Sequence, residues 1–380
     1  MKRIAIAVGA LAALFLVAFG ALWVTPSLQD GVMKRVVASR LGDGDRAALL
    51  NDGALHIVLC GTGSPMPDLS RANACTAVVA GGHVVIIDTG PRSWSRFAEA
   101  RIPASAIDAI LLTHLHSDHI GDLGEFAVQS WIAGRKTPLE IYGPGAPQEI
   151  KPPLDAEGHA YGTEGTVDVV KGFADAYGTD SGFRLVHHGV DFLAPEGARM
   201  IGHDIAKMPL ETATTVYDKD GLKISAFLVN HHPIEPAFGY RIEYKGRVAV
   251  VSGDTKKFEN VAYFAKDADL LVHEALSDNM VRLIASGLDG AGNKRLAKMA
   301  RDTINYHTSP VEAAEIAKEA NVRLLVFSHI VPPLPNALAR HMFFRGVEAA
   351  RGAGETMLGY DDLMISLPGG STAIQTTDLR

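Results

Sequence analysis

Short apolar runs that stop abruptly at polar residues recur along the chain. Leu55-His56-Ile57-Val58-Leu59-Cys60 is the first, closed by Gly61-Thr62-Gly63-Ser64-Pro65. Similar runs are Val84-Val85-Ile86-Ile87-Asp88, Ala109-Ile110-Leu111-Leu112-Thr113, Leu139-Glu140-Ile141-Tyr142 and Arg247-Val248-Ala249-Val250-Val251. Asp269-Leu270-Leu271-Val272-His273 and Arg323-Leu324-Leu325-Val326-Phe327 complete the set. Each is β-branched or Leu-rich and bounded by turn formers, which predicts a strand. Helical patterns lie between several of them. Residues 311–320 follow Thr308-Ser309-Pro310, a Ser cap with Pro at the first helical position. Strands alternating with helices predict an α/β architecture of sheets covered by helices.

Three segments stand apart. Met1-Lys2-Arg3 precedes an uncharged apolar run over residues 4–24, which fits a signal peptide or membrane anchor over residues 1–24 with the body outside the cytoplasm, periplasmic or secreted, or held at the inner membrane. Residues 25–52 are mixed in charge and predict a tether with a short helix. Residues 53–380 form the main domain, in which the weakly periodic stretch at about 151–215 predicts an insertion over the site, with His187, His188 and His203 as solvated loop residues. Cys60 and Cys75 lie on neighbouring predicted strands. An oxidising compartment permits a disulfide, but two small buried core residues are the preferred reading.

Composition narrows the class. The 380 residues are 47% hydrophobic and 21% charged, which is ordinary globular chemistry. A net charge of -7 argues against a general nucleic-acid binder, because phosphate binding needs a basic surface.

The polar ends of the runs carry the chemistry. Asp88, His114, Asp254, His273, Glu274 and His329 each follow an apolar strand. Burying such groups without partners is costly, and a metal centre would compensate all of them together. The sharpest cluster is His114-Leu115-His116-Ser117-Asp118-His119, with four ligand-type side chains in six residues. Imidazole and carboxylate are donors that zinc accepts.

His-x-His-x-Asp-His after an apolar strand resembles the signature of the metallo-β-lactamase superfamily. The resemblance runs from about Leu55 to the carboxyl end and is nearest to the ribonuclease Z branch and its arylsulfatase- and phosphodiesterase-like relatives. Gly61-Thr62-Gly63-Ser64-Pro65 with Asn73, Asn230-His231-His232, Ser252-Gly253-Asp254-Thr255, Leu271-Val272-His273-Glu274-Ala275, Tyr306-His307-Thr308-Ser309 and Ser328-His329-Ile330 carry it. It implies a four-layer αβ/βα sandwich with two divalent metal ions, zinc first and manganese or iron as alternatives. One metal would be held by His114, His116 and His231, the other by Asp118, His119 and His329, with Asp254 bridging. Asp118 also counts among the catalytic residues, with His307 as proton donor backed by Glu274. His232, His273, Asp88 and Asn73 are expected to support these residues from behind.

The implied reaction is hydrolysis by a bridging hydroxide. The expected substrate is a small phosphodiester or sulfate ester at the cell envelope, with no nucleic-acid partner, a membrane contact if the first segment is uncleaved, and a homodimer left open. Three features favour this over transfer-RNA maturation: the apolar first segment, the negative charge, and the short interval from Arg241 to Gly253, where many ribonucleases Z carry a long insertion. A ribonuclease Z-type endonuclease is the alternative, then a lactonase or β-lactamase, which would not need the His307–Glu274 pair. A metal-binding protein without turnover comes last.

Overall fold

The computed structural model describes residues 15–42, 46–147, 153–158 and 160–380. The chain divides into two units between Arg46 and Ala47. In the first, residues 15–24 form helix α1 and Pro26–Gly42 form α2, so the predicted tether is largely helical. Most of the expected signal or anchor segment, residues 1–14, lies outside the described residues. Among the described residues, no helix is long and apolar enough to cross a membrane.

The second unit holds two sheets. One has eight strands in the order β15-β14-β1-β2-β3-β4-β5-β6. Its strands are β1 (Ala54–Gly61), β2 (Cys75–Ala80), β3 (His83–Ile87), β4 (Ile107–Leu111), β5 (Leu139–Pro144), β6 (Met200–Ile205), β14 (Leu363–Pro368) and β15 (Gln375–Asp378). The other has seven, in the order β13-β12-β11-β10-β9-β8-β7. These are β7 (Ala213–Lys219), β8 (Leu222–Leu228), β9 (Phe238–Tyr244), β10 (Arg247–Val251), β11 (Leu270–Leu276), β12 (Leu324–Val331) and β13 (Glu355–Leu358).

The two-residue period of a strand sorts side chains into three cores. Leu55, Ile57 and Leu59 of β1 pack between the sheets with Ala249 and Val251 of β10 and Val326 of β12. The alternate residues Val58 and Cys60 face α3 (Ser93–Glu99) and α5 (Leu123–Ile132), whose Phe97 and Phe126 cover the outer side. Leu271, Leu325 and Phe327 face Val261, Ala317 and Phe343 on the other outer side. Those residues belong to α7 (Glu259–Phe264), α10 (Pro310–Glu319) and α11 (Ala337–Phe343), with α12 (Val347–Arg351) adding Val347. Helix α10 starts as expected: Ser309 accepts from the Glu312 amide, and the Glu312 carboxylate answers the Ser309 amide. The result is the expected four-layer α/β sandwich.

The insertion is more ordered than its sequence suggests. It contains α6 (Thr166–His188), 23 residues long, and supplies edge strand β6. Only Thr166 and Val170 of α6 are buried, so the helix has almost no apolar stripe to reveal it. His187 and His188 sit at its exposed end, whereas His203 lies on β6 and pairs with Glu140 at 2.5 Å. A further hairpin, α8 (Asp278–Gly290) and α9 (Lys294–Thr303), stands between β11 and α10.

Cys60 and Cys75 are joined as a disulfide, with Cα atoms 5.0 Å apart, rather than packed as free thiols. Pairing steps from Leu59↔Thr76 to Gly61↔Cys75, so Cys60 is the residue bulged out of register. The bridge closes a loop with a separation of 15 residues, worth about 3 kcal/mol by chain entropy. The double variant C60A/C75A is therefore expected to lose about that much in urea unfolding. Wild type under reducing conditions should match it, and equal stability of the oxidised wild type and the variant would refute the bridge's contribution.

Candidate metal centre

The candidate ligands come from both sheets and meet at one edge of the sandwich. His114 follows β4, and His116 caps α4 (Ser117–Ile120), whose first residues carry Asp118 and His119. His231 follows β8, Asp254 follows β10, and His329 lies on β12.

Backbone exceptions aim these groups. Glu274 of β11 pairs with Ser328 and Ala275 with Ile330, so His329 is the extra residue of a bulge. Its φ is +45°, left-handed for a residue with a side chain. Gly253, with φ +61°, leads into Asp254, and a Cβ there would lie 2.6 Å from the Phe238 carbonyl oxygen. At the opening loop a Cβ on Gly61 would come within 1.7 Å of the Asn73 carbonyl, so that crossing requires glycine.

The Asp254 carboxylate is the hub. Its Oδ2 lies 3.4 Å from His119 Nε2 and 3.5 Å from His329 Nε2. His114 Nε2 and His231 Nε2 are each 3.9 Å away. Asp118 Oδ2 stands 3.2 Å from His329 Nε2 and 3.5 Å from His119 Nε2. His114 Nε2 and His116 Nδ1 are 2.9 Å apart. Donors bound to one cation at about 2.1 Å sit roughly 3–3.5 Å from one another, so these spacings suit shared cations. Two groups, His114-His116-His231 and Asp118-His119-His329, could each hold one. His119 Nε2, His231 Nε2 and Asp254 Oδ1 are buried with no hydrogen-bond partner. Leaving such atoms unpaired costs about 1–3 kcal/mol each, which a bound cation would remove.

The electrostatics agree. Burial drives His114 well below the usual histidine range and His231 to about 3, so both rings are neutral. Burial opposes charge on Asp254, but His329 and His119 hold its carboxyl well below the usual range. Burial likewise opposes charge on His119, yet Asp254, Asp88 and Asp118 together raise it well above the usual value. Without a cation the carboxylates hold a proton on the buried His119 ring; a divalent cation would supply that positive charge instead and take the proton's place, so metal binding should release it.

Supporting residues fall into place unevenly. Asp88, itself left-handed at φ +59°, accepts from the Thr113 amide at 2.8 Å and from His119 Nδ1 at 2.8 Å. That fixes the His119 tautomer with Nε2 toward Asp254. His231 Nδ1 donates to the Tyr306 carbonyl at 2.9 Å, which does the same for His231. Asn73 instead pins the opening loop, donating to the Ser64 carbonyl at 2.7 Å. His273 is fully buried and donates to the Glu274 carbonyl at 2.7 Å, away from the cluster. His232 is turned outward, its side chain 65% exposed and paired with Glu235, so it does not back the centre.

His307 Nδ1 donates to Glu274 Oε1 at 2.9 Å, and that oxygen also accepts from the Thr255 and Thr308 amides at 3.1 Å each. Burial disfavours charge on His307, but Glu274 outweighs it and raises the ring to about 9. The sequence reading missed Thr113, whose hydroxyl lies between Asp88 and the rings of His114 and His119. Its place between an apolar strand and the first ligand was the available signal.

Fold, ligand geometry and proton-bearing pair together define a metal-dependent hydrolase, and the chain belongs to the metallo-β-lactamase superfamily, whose family model matches residues 71–329. Members of the superfamily typically use two divalent metals. Over 282 residues it is 34% identical to Ribonuclease Z of Mycobacterium sp. (strain KMS), covering 74% of this chain and 85% of that one. Ribonuclease Z of Mycolicibacterium paratuberculosis (strain ATCC BAA-968 / K-10) is 34% identical over 312 residues, 81% of this chain and 96% of that one. Among solved structures, the short form of human tRNase Z superposes with a TM-score of 0.54 at 20% identity, covering 82% of this chain and 99% of that one. The Bacillus subtilis fold relative YhfI gives the same TM-score at 19% identity, with the same coverage.

These relatives correct two expectations: the small phosphodiester or sulfate ester at the envelope, and the exclusion of nucleic acid. The β9–β10 hairpin is as short as predicted, turning at Lys245 and Gly246. Yet neither it nor the net charge outweighs a third of identical positions spread over most of the chain. Net charge averages a whole surface, whereas phosphate is met locally. Helix α9, for example, carries Lys294, Arg295, Lys298 and Arg301, of which Lys298 pairs with Asp302 and Arg301 with Asp289 of α8.

The Asp88–His119 contact yields a test. Asp88→Asn should weaken divalent-metal affinity about 10- to 100-fold in competition with a chromophoric chelator. Unchanged affinity would show that Asp88 does not orient a ligand.

Proposed function

We propose that the chain is a ribonuclease Z-type endonuclease that hydrolyses a phosphodiester bond of RNA. One observation carries the reaction: His307, hydrogen-bonded to Glu274 at 2.9 Å, stands on the wall of the ligand cluster with Nδ1 4.0 Å from Asp254 Oδ2. The substrate class is supported by the Ribonuclease Z relatives.

We assign His114, His116 and His231 to one cation, Asp118, His119 and His329 to the other, and Asp254 to both, with zinc the first candidate from the nitrogen and oxygen donors. When bound, two divalent cations supply Lewis acidity, lowering the pKa of water and neutralising charge on the phosphoryl group. The chain's own residues do the rest. Exposed His116 marks the open side, where substrate enters. Glu274 fixes His307 in the tautomer that keeps Nδ1–H on the carboxylate and leaves Nε2 to hold a transferable proton. His307 then protonates the leaving oxygen, an effect worth about 10²- to 10⁴-fold.

The compartment is a separate reading. An oxidising location is supported by the buried Cys60–Cys75 disulfide and by the apolar first segment. Alkylation of free thiols in intact cells, followed by mass spectrometry, tests it: labelled Cys60 and Cys75 would place the protein in a reducing compartment.

The metal-loaded protein is expected to cut a precursor transfer RNA, and His307→Ala to lower kcat about 10²- to 10⁴-fold with metal content unchanged. Loss of metal in that variant would make His307 a ligand instead. The pH profile gives an independent sign. An acid must be protonated, so the rate falls as pH rises through the His307 pKa, below about 9 once cations add their positive charge. Glu274→Gln removes the charge that raises this pKa, so the alkaline limb should move to lower pH. A limb that stays in place rules out the pair as the titrating group.

A further inference from the structure

Beside the cluster lies a cavity of about 390 Å³ that the hydrolytic reaction alone does not explain. His116, Asp254 and His307 lie on its floor. Its sides are apolar: Val281 and Ile284 of α8, Met299 and Ala300 of α9, Met66 of the opening loop, and Tyr306. The hairpin is seated by a small separate apolar cluster in which Val281 meets Leu276 and Val331. A site that received only phosphate would have no use for such a wall, since apolar concave surface beside a reaction centre marks a ligand's apolar part.

We propose that this cavity takes the unstacked base of a nucleotide flanking the scissile phosphate, and holds it without reading its identity. The proposal rests on the ribonuclease reading above. The occupant must be joined closely to the reacting phosphorus, because the floor residues belong to the reaction centre. At liquid density the volume holds roughly a dozen heavy atoms, the scale of one base and too small for a paired helix. Aliphatic, thioether and phenol walls fit the flat faces that all four bases share. Polar groups able to sort the bases are scarce. The Thr303 hydroxyl is already donated to the Ala300 carbonyl at 2.8 Å. The Ser64 hydroxyl has no partner in the protein but is itself buried, in a residue 4% exposed, so it offers the edge of a base little to contact. A hydroxyl both donates and accepts and therefore does not discriminate.

The test uses the metal-loaded full chain and RNA that it cleaves, with an abasic sugar placed in turn at each of the two nucleotides flanking the cut. At one of them kcat/KM should fall about ten- to a hundredfold, while exchange among the four bases changes it less than about threefold. Ala300→Phe and Ile284→Trp, which fill the cavity, should lower cleavage of intact RNA by a like factor and leave the abasic RNA almost unaffected. Thermal melting and metal content check that each variant is folded and loaded, and the abasic comparison on wild type stands without them. Equal cleavage of intact and abasic RNA at both positions would overturn the base pocket and leave the ribonuclease reading intact. Strong preference for one base would overturn the claim of indifference. Cleavage of no RNA at all would sink the ribonuclease reading and the pocket with it.

Discussion

A single carboxylate organises this protein. Asp254 stands where the edges of two sheets meet, within 4 Å of the ring nitrogens of His114, His119, His231 and His329. Two of those rings come from the first sheet's side and two from the second's. Burial alone would neutralise such a group or expel it. It stays ionised because the surrounding imidazoles offset the desolvation, and the same balance leaves the assembly short of positive charge. The pull toward divalent cations is thus a property of how the two sheets pack.

The helper residues extend that logic outward. Asp88 and the Tyr306 carbonyl each occupy Nδ1 of a histidine and so decide which nitrogen faces inward. Residue 306 therefore orients the candidate ligand His231 while residue 307 is the proposed acid, so both proposed roles meet in a short loop ahead of α10. The left-handed conformations of Asp88 and His329 are placed at these same points, where backbone strain is set against the aim it gives a side chain.

Much of this was legible in the sequence because it follows from strand periodicity. β1, β3, β4, β5, β10, β11 and β12 each lie at or within a few residues of an apolar run, and the candidate ligands other than His231, whose strand β8 was not foreseen, follow or end one. His231 rather than His232 was expected as the ligand from the family resemblance, not from the residues alone, and the structure puts the first in the cluster and the second in solvent. What escaped lacks such a signal. Helix α6 is exposed on nearly every side and contains Gly172, Gly178 and Gly182, so hydropathy has no face to mark. The Cys60–Cys75 bond depends on a bulge that shifts register by one residue, and spacing along the chain does not show a bulge. The substrate was misjudged for a related reason: total charge is summed over all residues and does not show where charge of either sign lies.

That hairpin adds no strand and no metal donor, and it is tied to the sandwich only at its two ends and by a few apolar contacts. Its length and lining can therefore drift without displacing any group that binds a cation. Chains sharing this scaffold can acquire new preferences by remodelling one projecting element while the hydrolytic apparatus stays constant.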